Sequence, residues 1–566
     1  MLRWLLLAFV LLATPVEAVT RLWVDNVEET ADAGDGTQLQ TLINAARDGQ
    51  LIELEGGTVI TRTVSLVLPA RATATAYVTI QTRQVDAVVP AGTRVAPAHG
   101  PKLAEIRSTQ TFFNVLQTAS SSSYWRLRGV RVRALINGYS NWATVGISQV
   151  AGGTSATVPH HIELDRVLID YDDFAPTDTQ YQQVLLLGRS LWMHHCYVSG
   201  VRSVSDGDYG AVWVGYAPGP VLVEDNYLES GGEVVFVGYG NFGTGDQINP
   251  TDVTIRRNHI TRNLAWRGLY LTKNLIEVKM GVRITIEGNL LTNAWTGQQI
   301  AAVVLSLRTE INCSKCAPSQ PQAALNQVVV RDNIFKGVSM WIDVSGIDAS
   351  GYQDQPSVGG GHWPATDLDI VNNLVFQADP DQWGAGNYTQ AAFNGPYLRV
   401  RVSHNTVDTT QPYGTGLSTV AVAGKIETLR WTNNILTRAV TCFSEQNGSH
   451  LPALQRTTAD DRILRGNVWA EDGADHSVLN AGNRYGETQA FVRAQFVSPT
   501  DYRIKASSPY HGAALDDTGT ATGKDLGVDI DALRTAVGST LWTAAGFGSS
   551  GSVPAPRPAT RVLVTP

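Results

Sequence analysis

Short runs in which apolar and polar residues alternate recur along most of the chain, and each run ends at an asparagine. The repeated unit is apolar, any, apolar, two residues, Asn, any, apolar, as in VLVEDNYL, VTIRRNHI and ITIEGNLL. Alternation at period two predicts a short strand on each side of a bend, and Asn tolerates the positive φ that such a bend uses. The asparagines of the clear copies are Asn226, Asn258, Asn289, Asn333, Asn373, Asn405, Asn434 and Asn467.

Subtracting neighbouring numbers gives steps of 32, 31, 44, 40, 32, 29 and 33 residues. A unit of about thirty residues cannot bury its apolar face alone, whereas stacked copies can. We therefore expect the asparagines to lie in one column and to hydrogen-bond through their amides. Weaker copies upstream place Arg166 and Cys196 in the Asn position. A leucine-rich repeat is the alternative, but its Leu-x-x-Leu-x-Leu consensus is absent.

This repeat resembles the right-handed parallel β-helix, or pectin-lyase-like, superfamily. Residues 34–60, GDGTQLQTLINAARDGQLIELEGGTVI, are similar to the N-terminal cap of that family, with a helix at 39–46. The segments GGEVVFVG, RRNHI, NLIEVK and IEGNLLTNAW resemble secreted bacterial β-helix proteins of undefined function. The resemblance implies an all-β fold, a right-handed parallel β-helix of about ten or more three-strand coils with an N-terminal capping helix.

The chain divides into four predicted segments. Residues 1–18, MLRWLLLAFVLLATPVEA, have the apolar run and small-residue cleavage site of a secretory signal peptide. A membrane anchor is the alternative, but the run is shorter than the roughly 18 residues that spanning needs. Residues 19–60 are the predicted cap, 61–530 the β-helix and 531–566 a C-terminal tail. We expect a secreted or periplasmic protein without a membrane span after cleavage, and a monomer.

Charge and cysteine content narrow the range of partners. A net charge of −8 and a pI near 5.8 argue against a nucleic-acid partner, which would call for a basic surface. The four cysteines, Cys196, Cys313, Cys316 and Cys442, are too few for a disulfide framework. For Cys313 and Cys316, a loop disulfide and two free thiols remain open, and half of a metal site is the weaker alternative. No metal site is assigned.

The third strand of each coil carries the candidate chemistry, because the superfamily usually places its catalytic groups there. With apolar residues inward, the residues expected to face outward are Glu233, Glu277, Lys279, Ser306, Arg308, Trp341 and Asp343. Adjacent coils lie about 4.8 Å apart, so Lys279 should lie near Arg308. The two longest steps hold insertions at 309–326 and 345–367, and long loops on a regular scaffold often mark a working site.

The resemblance favours a polysaccharide lyase acting on acidic glycans by β-elimination. Lys279 is the expected base, Arg308 its electrostatic partner and Glu277 a third catalytic residue. Trp341, Asp343 and Glu233 are the expected substrate contacts. Calcium is the cofactor left open, with Glu233, Glu277 and Asp343 as ligands.

Three alternatives remain. The first is a glycoside hydrolase of the polygalacturonase type, and the second is a non-enzymatic carbohydrate-binding or adhesive β-helix. In the third, the outward charges are cross-strand ion pairs on a solvated face. Near the C-terminal end, Asp525, Asp529 and Asp531 are either turn acids or calcium ligands.

Overall fold

The computed structural model describes residues 22–24, 27–28, 36–109, 114–134, 143–148, 156–170, 182–205, 207–238, 249–295, 297–299, 301–306, 325–345, 365–384, 389–394, 397–409, 414–418, 426–439, 444–445, 448–449, 458–471 and 482–548. Three long sheets of 15, 14 and 13 strands run through them, and almost every strand pairs in parallel with its equivalents one coil before and one coil after. The predicted all-β right-handed parallel β-helix is confirmed.

Each coil contributes one strand to each sheet. The first sheet, which precedes the asparagine bend, contains Leu22–Val24, Val27–Glu28, Leu51–Leu54, Val78–Thr82, Ser123–Arg128, His160–Asp165, Arg189–His194, Val221–Glu224, Thr251–Arg256, Gly281–Glu287, Leu325–Arg331, Thr366–Val371, Tyr397–Ser403, Ile426–Thr432 and Thr458–Arg465. The second sheet follows the bend and contains Val59–Arg62, Ala104–Ser108, Val130–Ala134, Leu168–Ile169, Tyr197–Val201, Tyr227–Ser230, His259–Thr261, Leu290–Ala294, Ile334–Val338, Leu374–Ala378, Thr406–Thr409, Ile435–Leu436, Val468–Trp469 and Arg484–Tyr485.

The third sheet closes each coil. It contains Leu66–Leu68, Leu116–Thr118, Ala143–Ile147, Gln182–Leu186, Gly210–Val214, Val235–Val237, Ile276–Val278, Ala301–Ser306, Met340–Ser345, Thr389–Asn394, Gly414–Ser418, Ser444–Glu445 and Gly448–Ser449. A separate hairpin pairs Phe496–Ser498 with Asp501–Ile504. The helices are Thr37–Ala45, Val85–Val88, Pro380–Trp383, Gln489–Arg493 and Ile530–Ala544, with 3-10 turns at Pro97–Lys102 and Leu264–Trp266.

The eight predicted asparagines stack in one buried column, which we call the asparagine ladder, and Asn483 extends it. Each Nδ2 donates to the Oδ1 of the asparagine one coil later at 2.9–3.1 Å. The same Oδ1 also accepts the main-chain N–H of the earlier asparagine. The second hydrogen of each amide bonds a main-chain carbonyl, so these buried side chains satisfy their hydrogen-bonding groups. The expected column is confirmed.

The sharp bend itself lies one residue earlier than predicted. The positive φ belongs to the residue before each ladder asparagine, for example Asp225 (57°), Arg257 (53°) and His404 (56°). Arg166 (55°) is one of these bend residues, so its predicted place in the asparagine position is wrong, and Val167 occupies that position. Cys196 does occupy it, since its main-chain N–H donates to Asn226 Oδ1 at 2.8 Å.

At the N-terminal end, the predicted helix is present as Thr37–Ala45. Its Leu39 and Ile43 are fully buried against the first coil, together with Leu22. The first coil begins inside the predicted cap, since Leu51–Leu54 and Val59–Arg62 already belong to the first two sheets. The cap therefore consists of the helix and the strands before it.

At the C-terminal end, the chain turns back along the outside of the second sheet. Main-chain N–H groups of Gly527, Val528 and Asp529 bond residues of three successively earlier coils, at Asn433, Thr406 and Asn372. The helix Ile530–Ala544 then reaches the coil of Asn289, where Ala536 lies against Gly288. The tail predicted from residue 531 is thus wrong over 531–548, because this stretch has an apolar face that buries against the sheet.

This return segment buries apolar residues that the second sheet presents to its outside. On the sheet these are Leu290, Ile334, Leu374, Phe376, Ile435 and Val468, and on the return segment Tyr502, Leu526, Ile530, Leu533, Leu541 and Trp542 are among their partners. Asp529 caps the final helix through Ala532 N–H, and Asp525 accepts a hydrogen bond from Gly512 N–H. Both acids therefore have cap and turn roles.

Several expectations fall on residues that lie outside the described part of the chain. These are the signal peptide at 1–18, Arg308, Cys313, Cys316, Cys442, the bulk of the two insertions and the segment 549–566. Among the described helices, none combines the length and apolar character required to cross a bilayer.

Candidate functional site

In four neighbouring coils, two consecutive residues at or just before the start of the third-sheet strand point inward, instead of alternating strictly. In the column that runs through Val235, Ile276, Val303 and Ile342, the residue just before each member is also buried in the central core. Those preceding residues are Val234, Leu275, Ala302 and Trp341. Strict period two therefore misplaces the start of these strands.

Trp341 is the residue most affected. Its side chain is 2% exposed and packs inside the coil, with its ring edge-to-face against Phe335 at 5.6 Å. The prediction that Trp341 faces outward and stacks on a sugar ring is wrong. The inward neighbour Ile342 and the outward Asp343 that follow restore the expected alternation.

Glu277 and Lys279 do lie on the outer face of the third sheet, as predicted. Glu277 pairs in register with Phe236 one coil before and with Val304 one coil after. The Nζ of Lys279 is 3.6 Å from Glu277 Oε1 and 5.1 Å from the centre of the Phe236 ring. Both side chains are nevertheless buried, with Glu277 2% and Lys279 4% exposed. They are thus not a solvated surface ion pair.

Glu233 joins them from the turn before the preceding third-sheet strand. Its carboxyl group is in hydrogen-bonding contact with Glu277 and lies 3.2 Å from the Nζ of Lys273. Burial, and next the carboxylate of Glu277, raise the pKa of Glu233 well above its usual range. A proton held on Glu233 can be donated to Glu277, whose Oε2 has no other hydrogen-bond partner in the described part of the chain.

Lys273 completes this group of side chains. Its Nζ contacts Asp208 as well as Glu233. Burial opposes the charge of Lys273, but the carboxylates of Glu233 and Asp208 outweigh it and raise the pKa of the ammonium group. We call Glu233, Glu277, Lys273 and Lys279 the acid–lysine cluster.

Two members of the neighbourhood were missed from the sequence. Lys273 and Asp208 precede their third-sheet strands, so a search of outward strand positions does not reach them. A usable signal for Lys273 was its place directly before NLIEVK, in the same stretch as two predicted site residues.

Asp343 does not reach the cluster. It faces outward in the same column as Glu277, but Val304 lies between them, which puts the two acids about 9.6 Å apart at two strand spacings. Asp343 lies instead near Tyr397, whose pKa is raised by its burial and then by the charge of Asp343. The predicted convergence is therefore partial: Glu277, Lys279 and Glu233 meet, and Asp343 does not.

The cluster lies between two apolar patches on the outside of the third sheet. Toward the N-terminal coils these are Ala143, Leu185 and Leu187 with Trp213, and toward the C-terminal coils Ala301, Val304 and Met340 with Ala392. Apolar surroundings lower the local dielectric and strengthen the electrostatic effects inside the cluster.

The described donors do not fit calcium at this place. Calcium takes six to eight oxygen ligands, whereas Glu233 and Glu277 are two acids that already face lysine ammonium groups. In the described ranges, three potential metal donors come together at Asp165, His194 and His195 on the first sheet. There, Arg166 donates to both oxygens of Asp165, and the Nδ1 atoms of the two histidines lie 2.8 Å apart. Hydrogen bonds account for that arrangement.

Comparison with known proteins supports the architecture. No protein-family model matches the chain, and no curated protein matches it. Among solved structures, it is similar to a mutant of the PL6 family alginate lyase AlyGC, with 12% identity and a TM-score of 0.53 over 88% of this chain. The chain spans only 58% of that structure's length.

Two further solved structures have lower TM-scores. A PL6 family polysaccharide lyase from Pseudopedobacter saltans is 10% identical, with a TM-score of 0.36 over 87% of this chain and 99% of its own. The tailspike protein of E. coli bacteriophage HK620 is 13% identical, with a TM-score of 0.37 over 81% and 76% of the two chains. At 12% identity, the likeness to AlyGC shows the fold alone, and with the three parallel sheets it identifies the protein as a right-handed parallel β-helix.

Proposed function

We propose that this protein is a secreted enzyme that cleaves acidic polysaccharides by β-elimination. The observation that supports it is the acid–lysine cluster: the buried Glu233, Glu277 and Lys279 with the part-buried Lys273, on the outside of a regular coil. Burying charged groups costs free energy, and the fold of the coil does not require charges at these positions. Ionisable groups with displaced pKa values in such surroundings are typical of functional sites.

In this proposal, Lys279 is the base that takes the proton from the carbon next to the uronate carboxylate. The bond from the neighbouring carbon to the glycosidic oxygen breaks, its electrons stay with the oxygen, and the carbanion's pair forms the new carbon–carbon double bond. The leaving oxygen takes up a proton from water. Glu233, which keeps its proton, donates to the uronate carboxylate, and Lys273 stabilises the negative charge that develops there. Arg308, which lies outside the described residues, remains a predicted partner.

The likeness to AlyGC agrees with a glycan substrate, since that protein is described as an alginate lyase. A glycoside hydrolase is less consistent with the geometry. Hydrolases hold their two carboxyl groups about 5 Å or more apart across the scissile bond, whereas Glu233 and Glu277 are in direct contact.

Glycan binding without catalysis is the second candidate, and one observation favours it. Glu277 and Lys279 are 2% and 4% exposed, which leaves little surface for a substrate to touch. In that case, uronate polymers would bind and remain intact.

The test is incubation of the purified protein with polymers of mannuronate, guluronate and galacturonate, followed by ultraviolet absorbance of the unsaturated product. Lys279→Met should reduce the rate roughly 10²–10⁴-fold, because a positioned base contributes that much. Lys505→Met is the matched control, since Lys505 bonds a surface carbonyl at Ala494. The absence of product from all three polymers would rule the lyase out.

A further inference from the structure

A groove of about 230 Å³ opens at the corner between the second and third sheets, beside the acid–lysine cluster. Its walls include Arg267, Tyr270 and Thr272 from one connection, Trp295 from the next coil and Trp383 from a short helix. We call it the arginine–aromatic groove. Thr272 directly precedes Lys273, so the groove and the cluster are adjacent along the chain.

Each aromatic ring of the groove lies against an arginine. The guanidinium carbon of Arg202 is 5.4 Å from the Tyr270 ring, that of Arg262 is 5.7 Å from Trp295, and that of Arg267 is 5.6 Å from Trp383. No acidic side chain is among the described residues that line the groove. Its electrostatic character is therefore positive.

Arg262 reinforces this positive character from behind Trp295. It is 1% exposed, and its guanidinium donates to the carbonyls of Gly231 and Gly232, the two residues before Glu233. Its remaining terminal nitrogen, Nη1, has no hydrogen-bond partner in the described part of the chain. Burial lowers the pKa of Arg262 to about 9. A buried cation without a counter-charge is costly, and an anion nearby offsets that cost.

Arg267 offers the direct contact for such an anion. It is exposed, and one of its N–H groups bonds the carbonyl of Gln382. A guanidinium has five N–H donors in a planar fork that matches a carboxylate. Aromatic rings beside it supply flat apolar surface, which suits the face of a sugar ring.

We propose that the arginine–aromatic groove binds one carboxylated sugar residue of the polymer. Arg267 contacts its carboxylate, and the part-buried Tyr270 contacts its ring, while Trp295 and Trp383, which are 4% and 7% exposed, form the floor of the groove. This assignment rests on the proposed function, because it supplies the neighbouring subsite that holds an acidic chain across the cluster.

The experiment is isothermal titration with trimannuronate and with its carboxyl-reduced, neutral counterpart. The wild-type protein should bind the acidic trisaccharide and bind the neutral one much more weakly. Arg267→Met should lower the affinity for the acidic trisaccharide roughly 10- to 100-fold, as expected for the loss of a charged hydrogen bond. Arg283→Met is the matched control: it removes an exposed arginine paired with Asp252 on the first sheet and should leave binding unchanged.

The outcomes separate this proposal from the lyase itself. If wild type and Arg267→Met bind the acidic trisaccharide equally, the groove is not the binding site. If the wild type binds the acidic and the neutral trisaccharide equally, the groove does not recognise the carboxylate, and the proposal is likewise overturned. If uronates bind in an Arg267-dependent way and no polymer is cleaved, the groove stands and the elimination chemistry fails. If polymers are cleaved and Arg267→Met leaves KM unchanged, the chemistry stands and the groove is overturned.

Discussion

The asparagine ladder and the acid–lysine cluster are both buried arrays of polar side chains on successive coils, but they differ in how they are satisfied. In the ladder, every amide is neutral and has its donors and acceptor engaged. In the cluster, burial and then the neighbouring Glu277 raise the pKa of Glu233, and Glu277 Oε2 lacks a hydrogen-bond partner in the described residues. Satisfied neutral networks stabilise a fold, whereas strained ionic ones more often serve a reaction.

The largest expected effect breaks the ladder. Asn289→Ala removes the acceptor for the N–H and Nδ2 of Asn258 and the donor for the carbonyl of Ile255. Leaving these buried groups unpaired should lower the free energy of unfolding by about 3–5 kcal/mol. Urea denaturation measures the change. Asn44→Ala, which loses one hydrogen bond at the surface, should cost far less; equal costs would show that the ladder adds nothing.

A comparable effect is expected for the core beneath the cluster. Trp341→Ala should lower the free energy of unfolding by about 3–5 kcal/mol, because it leaves a cavity beside Phe335. Uronate binding by the folded variant should stay at the wild-type level. A loss of binding without a loss of stability would place Trp341 on the outside after all.

A smaller effect distinguishes the cluster by its pH dependence. The folded state raises the pKa of Glu233 above its unfolded value, so above about pH 4.5 the folded protein retains a proton that the unfolded chain has lost. The contribution of Glu233 to the free energy of unfolding is complete below that pH. It falls as the pH rises, by at most about 1.4 kcal/mol per pH unit.

Glu277→Gln should flatten that dependence. Its neutral amide removes the second-largest cause of the raised pKa, the charge of Glu277, and can donate to an ionised Glu233. Urea denaturation between pH 4.5 and pH 8 compares the two proteins, and identical slopes would contradict a shared proton. Asn289→Ala is the reference here, since an amide ladder does not titrate and the slope should match the wild type.

The smallest expected effect comes from a substitution that adds one asparagine to the N-terminal end of the ladder. Cys196 occupies the asparagine position, and its main-chain N–H already bonds Asn226 Oδ1. Cys196→Asn adds an Nδ2 donor to that oxygen and should raise the free energy of unfolding by about 1 kcal/mol. Cys196→Ser, which lacks the amide, should not gain stability, and a gain of the same size there would point to the loss of the thiol instead.

The ladder could be predicted from the sequence because asparagine returns at the same place in eight successive coils, from Asn226 to Asn467. The exact bend residue could not, since Asp225, Arg257 and His404 share no side-chain property and are held at positive φ by the coils on both sides. The burial of Trp341 was wrongly predicted because Trp341 and Ile342 both point inward, and strict alternation does not allow two consecutive inward residues.

The sequence contains a pattern that predicts a segment covering the outside of the second sheet, and the prediction of a tail did not use it. In five coils, the residue directly after the ladder asparagine is apolar, and these residues are Leu290, Ile334, Leu374, Ile435 and Val468. With the inward positions apolar as well, both faces of those second-sheet strands require cover, which an exposed sheet would not. The acid–lysine cluster was predicted only in part, because Lys273, like its partner Asp208, lies in a turn before a third-sheet strand.

The one-way direction of the ladder has a consequence for synthesis on the ribosome. Between ladder asparagines, each side chain donates only to the asparagine that follows it in the chain, as when Asn258 donates to Asn289 and Asn289 to Asn333. The growing end of a nascent coil stack therefore always displays two unmet amide donors until the next coil emerges. Shortening the protein from its C-terminal side recreates that open end with its two unmet donors. Shortening it from the N-terminal side leaves a spare acceptor and one unmet donor, because the second hydrogen of each amide bonds a carbonyl of the preceding coil, as when Asn289 Nδ2 donates to Ile255. The two truncations should therefore not be equally harmful.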